Sequence, residues 1–124
     1  MRYMTNQGRY LKNIDFSTAL VMKDLVTYQP GQVVSKTLAQ NKAVSLTLFA
    51  FDKDEEIGTH DSSGDAMLLV LDGTVEITIG GEKYTLREGE TIVMPAKVPH
   101  AVYGTEQCKL FLVVVFPTSD GHEA

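Results

Sequence analysis

Short segments in which apolar and polar residues alternate dominate the sequence, and glycine-containing turns separate them about every ten residues. Residues 74–79 (TVEITI) show this most clearly, with valine and isoleucine on one face and threonine and glutamate on the other. The pairs Asp72–Gly73 and Gly80–Gly81 flank this segment and predict hairpin turns. At least eight such segments occur without a convincing long helix, which predicts an all-β sandwich or small barrel.

The chain is expected to form one domain, since it has 124 residues. Residues 1–30 have no clear strand pattern and are predicted to be an N-terminal lead-in, with a short helical turn at residues 19–22 capped by Ser17. All the strand-like segments lie within residues 31–117, which are predicted to be the barrel domain. Residues 118–124 are predicted to be a polar tail, in which His122 is solvated.

The charge balance limits the partners that the protein is expected to have. The net charge is −5 at pH 7, and no basic cluster stands out, so we expect neither nucleic acid nor a membrane surface as a partner. Cys108 is the single cysteine, which excludes a disulfide within the chain and favours a reducing, cytoplasmic setting. No general base is placed beside it in the sequence, so it is interpreted as an inert thiol.

Two segments are apolar at successive positions, which indicates burial on both faces of a strand. They are residues 67–71 (MLLVL) and residues 110–116 (LFLVVVF). A barrel core buries one face of such a strand, and the apolar face on the other side needs a second surface. The sequence therefore predicts a homodimer.

The second half of the chain carries a histidine at a characteristic distance from a glycine and a proline. Five residues separate Gly89 from Pro95, and His100 follows after Ala–Lys–Val–Pro. This spacing resembles the second motif of the cupins, which reads Gly, five residues, Pro, any residue, Gly, two residues, His, three residues, Asn. Lys97 stands at the position of the inner glycine, and Gly104 stands at that of the closing asparagine.

A second stretch, His60 to Gly73, has the spacing of the first cupin motif. His60 occupies the first histidine position, and Gly73 occupies the closing glycine position. Ser62 replaces the second histidine, and Ala66 replaces the glutamate. The resemblance implies a cupin-type double-stranded β-helix, a jelly-roll barrel with a site inside its mouth. It does not imply one reaction, because cupins differ widely in function.

The resemblance also implies a reduced metal site. Metal-binding cupins direct three histidines and one glutamate into the barrel, a set that suits Fe, Mn, Ni, Cu or Zn. His60 and His100 are the two imidazoles kept at matched positions, and we predict that they bind a divalent transition metal weakly, with solvent or substrate completing its coordination. Asp65 is considered as a third ligand, but its turn-rich surroundings favour hydrogen bonds to loop amides.

The resemblance further predicts which side chains line the pocket around these histidines. The predicted pocket residues are Ser62, Ala66, Leu68, Val70, Ile77, Met94 and Val102. The cup is largely apolar, which suits a small organic molecule. The predicted function is therefore the binding of a metal and a small molecule by a small cupin. The prediction specifies neither a reaction nor whether catalysis occurs. The alternative is a metal-free regulatory or sensor cupin that binds a small molecule without catalysis.

Overall fold

Two antiparallel sheets form the protein in the computed structural model, which describes residues 9–117. The described strands are β1 (Val33–Gln40), β2 (Val44–Phe51), β3 (Glu56–His60), β4 (Asp65–Asp72), β5 (Thr74–Ile79), β6 (Glu82–Arg87), β7 (Thr91–Met94), β8 (His100–Tyr103) and β9 (Cys108–Val115). The larger sheet has the order β1-β2-β9-β4-β7, and the smaller has the order β3-β8-β5-β6. The predicted all-β jelly roll is confirmed. The tail at residues 118–124, including His122, lies outside the described residues.

The alternation of residue types along the strands decides which face enters the core. In β5, Val75 and Ile77 are fully buried, whereas Glu76 lies on the opposite face. Full burial of such a side chain contributes about 1.5–3 kcal/mol to folding. The inner faces of both sheets together form the main core cluster.

The two predicted hairpins have different outcomes. Gly80 and Gly81 connect the paired strands β5 and β6, and both have positive φ angles, as a tight two-residue hairpin requires. The hairpin predicted at Asp72–Gly73 is wrong, because β4 and β5 belong to different sheets. Gly73 instead turns the chain from one sheet to the other with φ +76°, and a Cβ there would collide with the carbonyl oxygen of Gln107.

The described part of the lead-in covers one half of the larger sheet's outer face. Val26 packs there into a second core cluster with Leu38, Leu48 and Ala50. The hydroxyl of Tyr28 donates a 2.6 Å hydrogen bond to the Asp72 carboxylate and ties the segment to the barrel. The tyrosine pKa is raised, mainly by burial and by that hydrogen bond.

The helical turn expected at residues 19–22 is displaced. A 3₁₀ turn occurs at Met22–Leu25 instead, and its N-cap, Val21, offers no side-chain hydrogen bond. Ser17 has φ +56° and does not cap it. No helix among residues 9–117 has the length and apolarity needed to cross a membrane.

The other half of the larger sheet's outer face is not covered by any residue that the structure describes. Met67, Val93 and Val115 are 45%, 52% and 56% exposed. Met67 is the direct partner of Val93 on β7 and of Val113 on β9, and Val115 follows Val113 on the same face of β9. Met67, Val93, Val113 and Val115 therefore form one contiguous apolar surface, called the outer patch below. Among residues 9–117, the expectation that residues 67–71 bury both faces is therefore wrong, because the described part of the lead-in does not cover this half of the sheet.

Candidate metal and ligand site

Strand pairing brings the two predicted metal ligands together. His60 ends β3, His100 begins β8, and the two residues are direct partners in the antiparallel ladder. Their rings meet edge to face, with centroids 4.4 Å apart and an interplanar angle of 67°. His60 is exposed, whereas His100 is 4% exposed, so the pair runs from the barrel mouth into its interior.

Backbone carbonyl groups orient both rings. Nδ1 of His60 lies 3.0 Å from the carbonyl oxygen of Gly58, and Nδ1 of His100 lies 3.3 Å from that of Val98. A carbonyl oxygen only accepts hydrogen bonds, so Nδ1 is the donor in both rings. A neutral ring held in this tautomer keeps its lone pair on Nε2, as metal-binding histidines do.

The surroundings of His100 favour its neutral form. Burial lowers the pKa of His100 below its ordinary value of 6.5, and the neighbouring His60 lowers it further. The hydrogen bond to Val98 and the charge of Asp61 oppose this effect. A neutral imidazole is the form that coordinates a metal, so His100 is available as a ligand at neutral pH.

The two rings border a cavity of about 90 Å³ inside the barrel. Its remaining lining is apolar and consists of Phe49, Phe51, Ile57, Leu68, Met94, Val102, Leu110 and Leu112. The imidazoles are therefore the polar side chains of this cavity. Among residues 9–117, neither a carboxylate nor a lysine or arginine lines it.

The predicted pocket residues occupy three kinds of position. Those that line the cavity are Leu68, Met94 and Val102. Those buried in the main core but not in the cavity lining are Ala66, Val70 and Ile77. Ser62 lies in the loop between β3 and β4, where its hydroxyl accepts a 3.1 Å hydrogen bond from the amide of Gly64.

Part of the lining comes from strands that the sequence analysis did not place at the site. Phe49 and Phe51 are two residues apart on β2, so they share the inner face, and their rings make an edge contact at 6.0 Å. Leu110 faces Phe49 across β2 and β9. The alternation of β2 was readable, but its position against β9 depends on pairing between distant parts of the chain.

Asp65 stabilises a turn. Its carboxylate accepts a 2.8 Å hydrogen bond from the amide of Ala96, in the turn that precedes β8. This agrees with the loop-amide interpretation of Asp65. Residues 9–117 contain no group of three or more His, Cys, Asp or Glu side chains placed to hold a metal ion. Two imidazoles are thus a partial ligand set, which fits a weakly held ion with other positions filled by water or ligand.

Cys108 has the environment of a structural thiol. It is fully buried in the main core, and burial raises its pKa to about 12, with a smaller effect from Asp72. The thiolate is therefore disfavoured at neutral pH, consistent with an inert cysteine.

Two antiparallel sheets that enclose an apolar cavity, with histidines at its mouth, define a jelly-roll barrel of the cupin type. A cupin domain model matches residues 47–116, and the chain belongs to this family. The match spans β2 to β9, apart from the first residues of β2, and contains both histidines.

Several proteins resemble the whole barrel. A conserved protein of unknown function from Streptococcus pyogenes shares 44% identity at a TM-score of 0.89, covering 92% of this chain and all of its own. A cupin superfamily protein from Desulfitobacterium hafniense shares 29% identity at a TM-score of 0.82, covering 86% of this chain and 97% of its own. An uncharacterized protein from Aquifex aeolicus is 26% identical over 105 residues, covering 83% of this chain and 87% of its own.

Proposed function

We propose that the barrel cavity binds a divalent transition metal weakly through His60 and His100, together with a small organic molecule. The observation that carries this proposal is the meeting of two imidazoles at an apolar cavity, each with Nδ1 directed at a carbonyl oxygen. Imidazole nitrogen suits Fe, Ni, Cu and Zn, and Mn remains a candidate through oxygen ligands from water or the organic molecule. Two protein ligands give weak binding, because the ion keeps most of its water.

The two histidines have different tasks in this proposal. His100 is held by the interior of the barrel and presents a fixed nitrogen, whereas His60 contributes from the exposed rim. The apolar wall excludes water from the body of the organic molecule and directs its polar group toward the imidazoles. A bound metal would act as a Lewis acid on an oxygen of that molecule.

No carboxylate of the described residues lines the cavity, so the imidazoles are the available groups for moving a proton there. We place the protein in the reducing cytoplasm, since its one cysteine is a buried free thiol.

A second candidate function is a metal-free sensor or regulatory barrel. The partial ligand set favours it, because the same two Nε2 atoms can accept hydrogen bonds from an organic molecule without a metal. Here the pocket binds the molecule through apolar contacts and one polar contact, and no chemistry follows.

A metal titration separates the two functions. Chelator-treated, untagged protein is titrated with Co²⁺ and Zn²⁺ by calorimetry and visible absorption. We expect one weak site, lost or weakened at least about tenfold in His60→Ala, which changes an exposed side chain. His122→Ala removes the remaining histidine of the sequence and serves as the matched control. Equal binding by all three proteins, or none in the wild type, would contradict the metal site.

A further inference from the structure

We infer that, in the metal-free protein, the organic ligand is a compact, uncharged molecule whose buried part is at most a single ring, with an apolar body and one polar group at the His60–His100 pair. This inference rests on the proposed function, since it describes the molecule that the same cavity takes. The volume, the polarity and the charge of the cavity wall define this molecule.

The volume sets the upper limit of size. The cavity measures about 90 Å³, whereas a cavity of about 150 Å³ holds one benzene ring, so the buried part of the ligand is at most a single ring. Pockets for larger organic ligands typically measure about 300–1,000 Å³. A two-ring molecule therefore exceeds the space that this barrel leaves open.

The wall sets the polarity of the ligand. Apart from the two imidazoles, all lining side chains are apolar. A polar group placed beside Phe49, Leu68 or Leu110 would lose its water and find no side-chain partner. One polar group, located at the histidine end, is what this wall accommodates.

The wall also disfavours a charged ligand in the metal-free protein. No lysine or arginine in the part of the chain that the structure describes lines the cavity. The sequence as a whole carries a net charge of −5, so the long-range field does not attract an anion either. A carboxylate would enter without a fixed positive partner, and its desolvation would be uncompensated.

Met94 is a residue that sets the size limit. It lies at the end of β7, is 1% exposed, and contributes its long side chain to the cavity wall. Shortening it to alanine removes wall volume on the cavity side. Its neighbour Val93 is 52% exposed on the opposite face of the same strand, so Val93→Ala is the matched control.

The test uses the full chain after chelator treatment, with phenol, benzoate and 4-phenylphenol as probes. Binding is measured by calorimetry and by methyl NMR of the methionines, in which the Met94 signal reports on the cavity. We expect phenol to bind and to shift the Met94 signal, and 4-phenylphenol and benzoate to bind at least about tenfold more weakly. Met94→Ala is expected to admit 4-phenylphenol, and Val93→Ala is not.

Binding measurements on the wild-type protein alone test the limits on the size and the charge of the ligand. Binding of 4-phenylphenol or benzoate as tight as that of phenol would overturn the inference, as would saturable binding of phenol with no effect on Met94. If Met94→Ala does not fold, Leu112→Ala, which shortens another wall residue, replaces it. A positive metal titration with no phenol binding refutes the ligand class alone. Phenol binding without a metal site refutes the metal proposal alone.

Discussion

The backbone amide of Lys97 donates a 2.7 Å hydrogen bond to the carbonyl oxygen of Ser62. This bond joins the turn before β8 to the loop after β3, so it links the segments that carry His100 and His60. Lys97 makes it in the left-handed conformation, with φ +67°, where the cupin motif has glycine. A non-glycine residue in this region costs on the order of 1 kcal/mol, which the surrounding structure must offset.

Lys97→Gly is expected to stabilise the protein by up to about 1 kcal/mol, because glycine adopts the positive φ without strain. The free energy of unfolding in urea measures the change. Lys97→Ala removes the same side chain and charge but keeps the strain, so it should give no such gain. Equal stability of the two variants would contradict the strain argument.

Gly73→Ala is expected to destabilise the barrel by more than about 2 kcal/mol. The added Cβ would meet the carbonyl of Gln107 at a backbone position with φ +76°. Gly81→Ala is the control, since Gly81 has φ +89° but nothing within 4 Å of the added carbon. Thermal and urea unfolding should rank Gly73→Ala well below Gly81→Ala. Losses of similar size in both would mean that the collision is relieved cheaply.

The lowered pKa of His100 predicts a loss of stability in mild acid. The unfolded chain takes up a proton near pH 6.5, whereas the folded protein resists protonation at this buried ring. The stabilising effect of the neutral ring is therefore present above pH 6.5 and is lost as the pH falls through the lowered pKa of the folded state.

The free energy of unfolding, measured between about pH 7.5 and pH 5.5, tests this prediction. Wild-type protein should lose more stability over this range than His100→Gln, which does not titrate. The difference between the two curves isolates His100 from the other ionisable groups. Parallel curves would show that the ring protonates as readily in the folded protein as in the unfolded chain.

The outer patch supports the predicted homodimer. Met67, Val93 and Val115 are half-exposed apolar side chains in one sheet, and a two-fold axis would place this surface against itself. We expect a dimer mass by light scattering at micromolar concentration, and a monomer for Met67→Glu. Val21→Glu, at an exposed apolar position of the lead-in outside the outer patch, is the matched control. A monomeric wild type would end this prediction.

Local signals in the sequence predicted part of the local structure, although the helical turn expected after Ser17 lies elsewhere. The Gly80–Gly81 hairpin and the alternation in β5 were readable because tight turns and half-buried strands depend on neighbouring residues. The jelly roll was implied by the resemblance of two motifs to those of the cupins, and it is confirmed.

Relations between distant residues were less predictable. An Asp–Gly pair signals a sharp turn, but not whether the next strand stays in the same sheet, and at Asp72–Gly73 it changes sheet. Phe49 and Phe51 reach the cavity because β2 pairs with β9, which no local pattern reveals. The positive φ of Lys97 was equally hidden, since lysine gives no signal for it.

β3 is an edge strand of the smaller sheet, so the two histidines lie on strands that differ in local stability. His100 belongs to a strand with a neighbour on each side, whereas His60 belongs to one with a single neighbour and an irregular register. Outer strands open locally at lower free energy than inner ones. We therefore expect a bound molecule to leave when β3 separates locally from β8, while β8 keeps its place in the sheet. The rate at which β3 opens, and not the rate at which the barrel unfolds, would then set the residence time of the bound molecule.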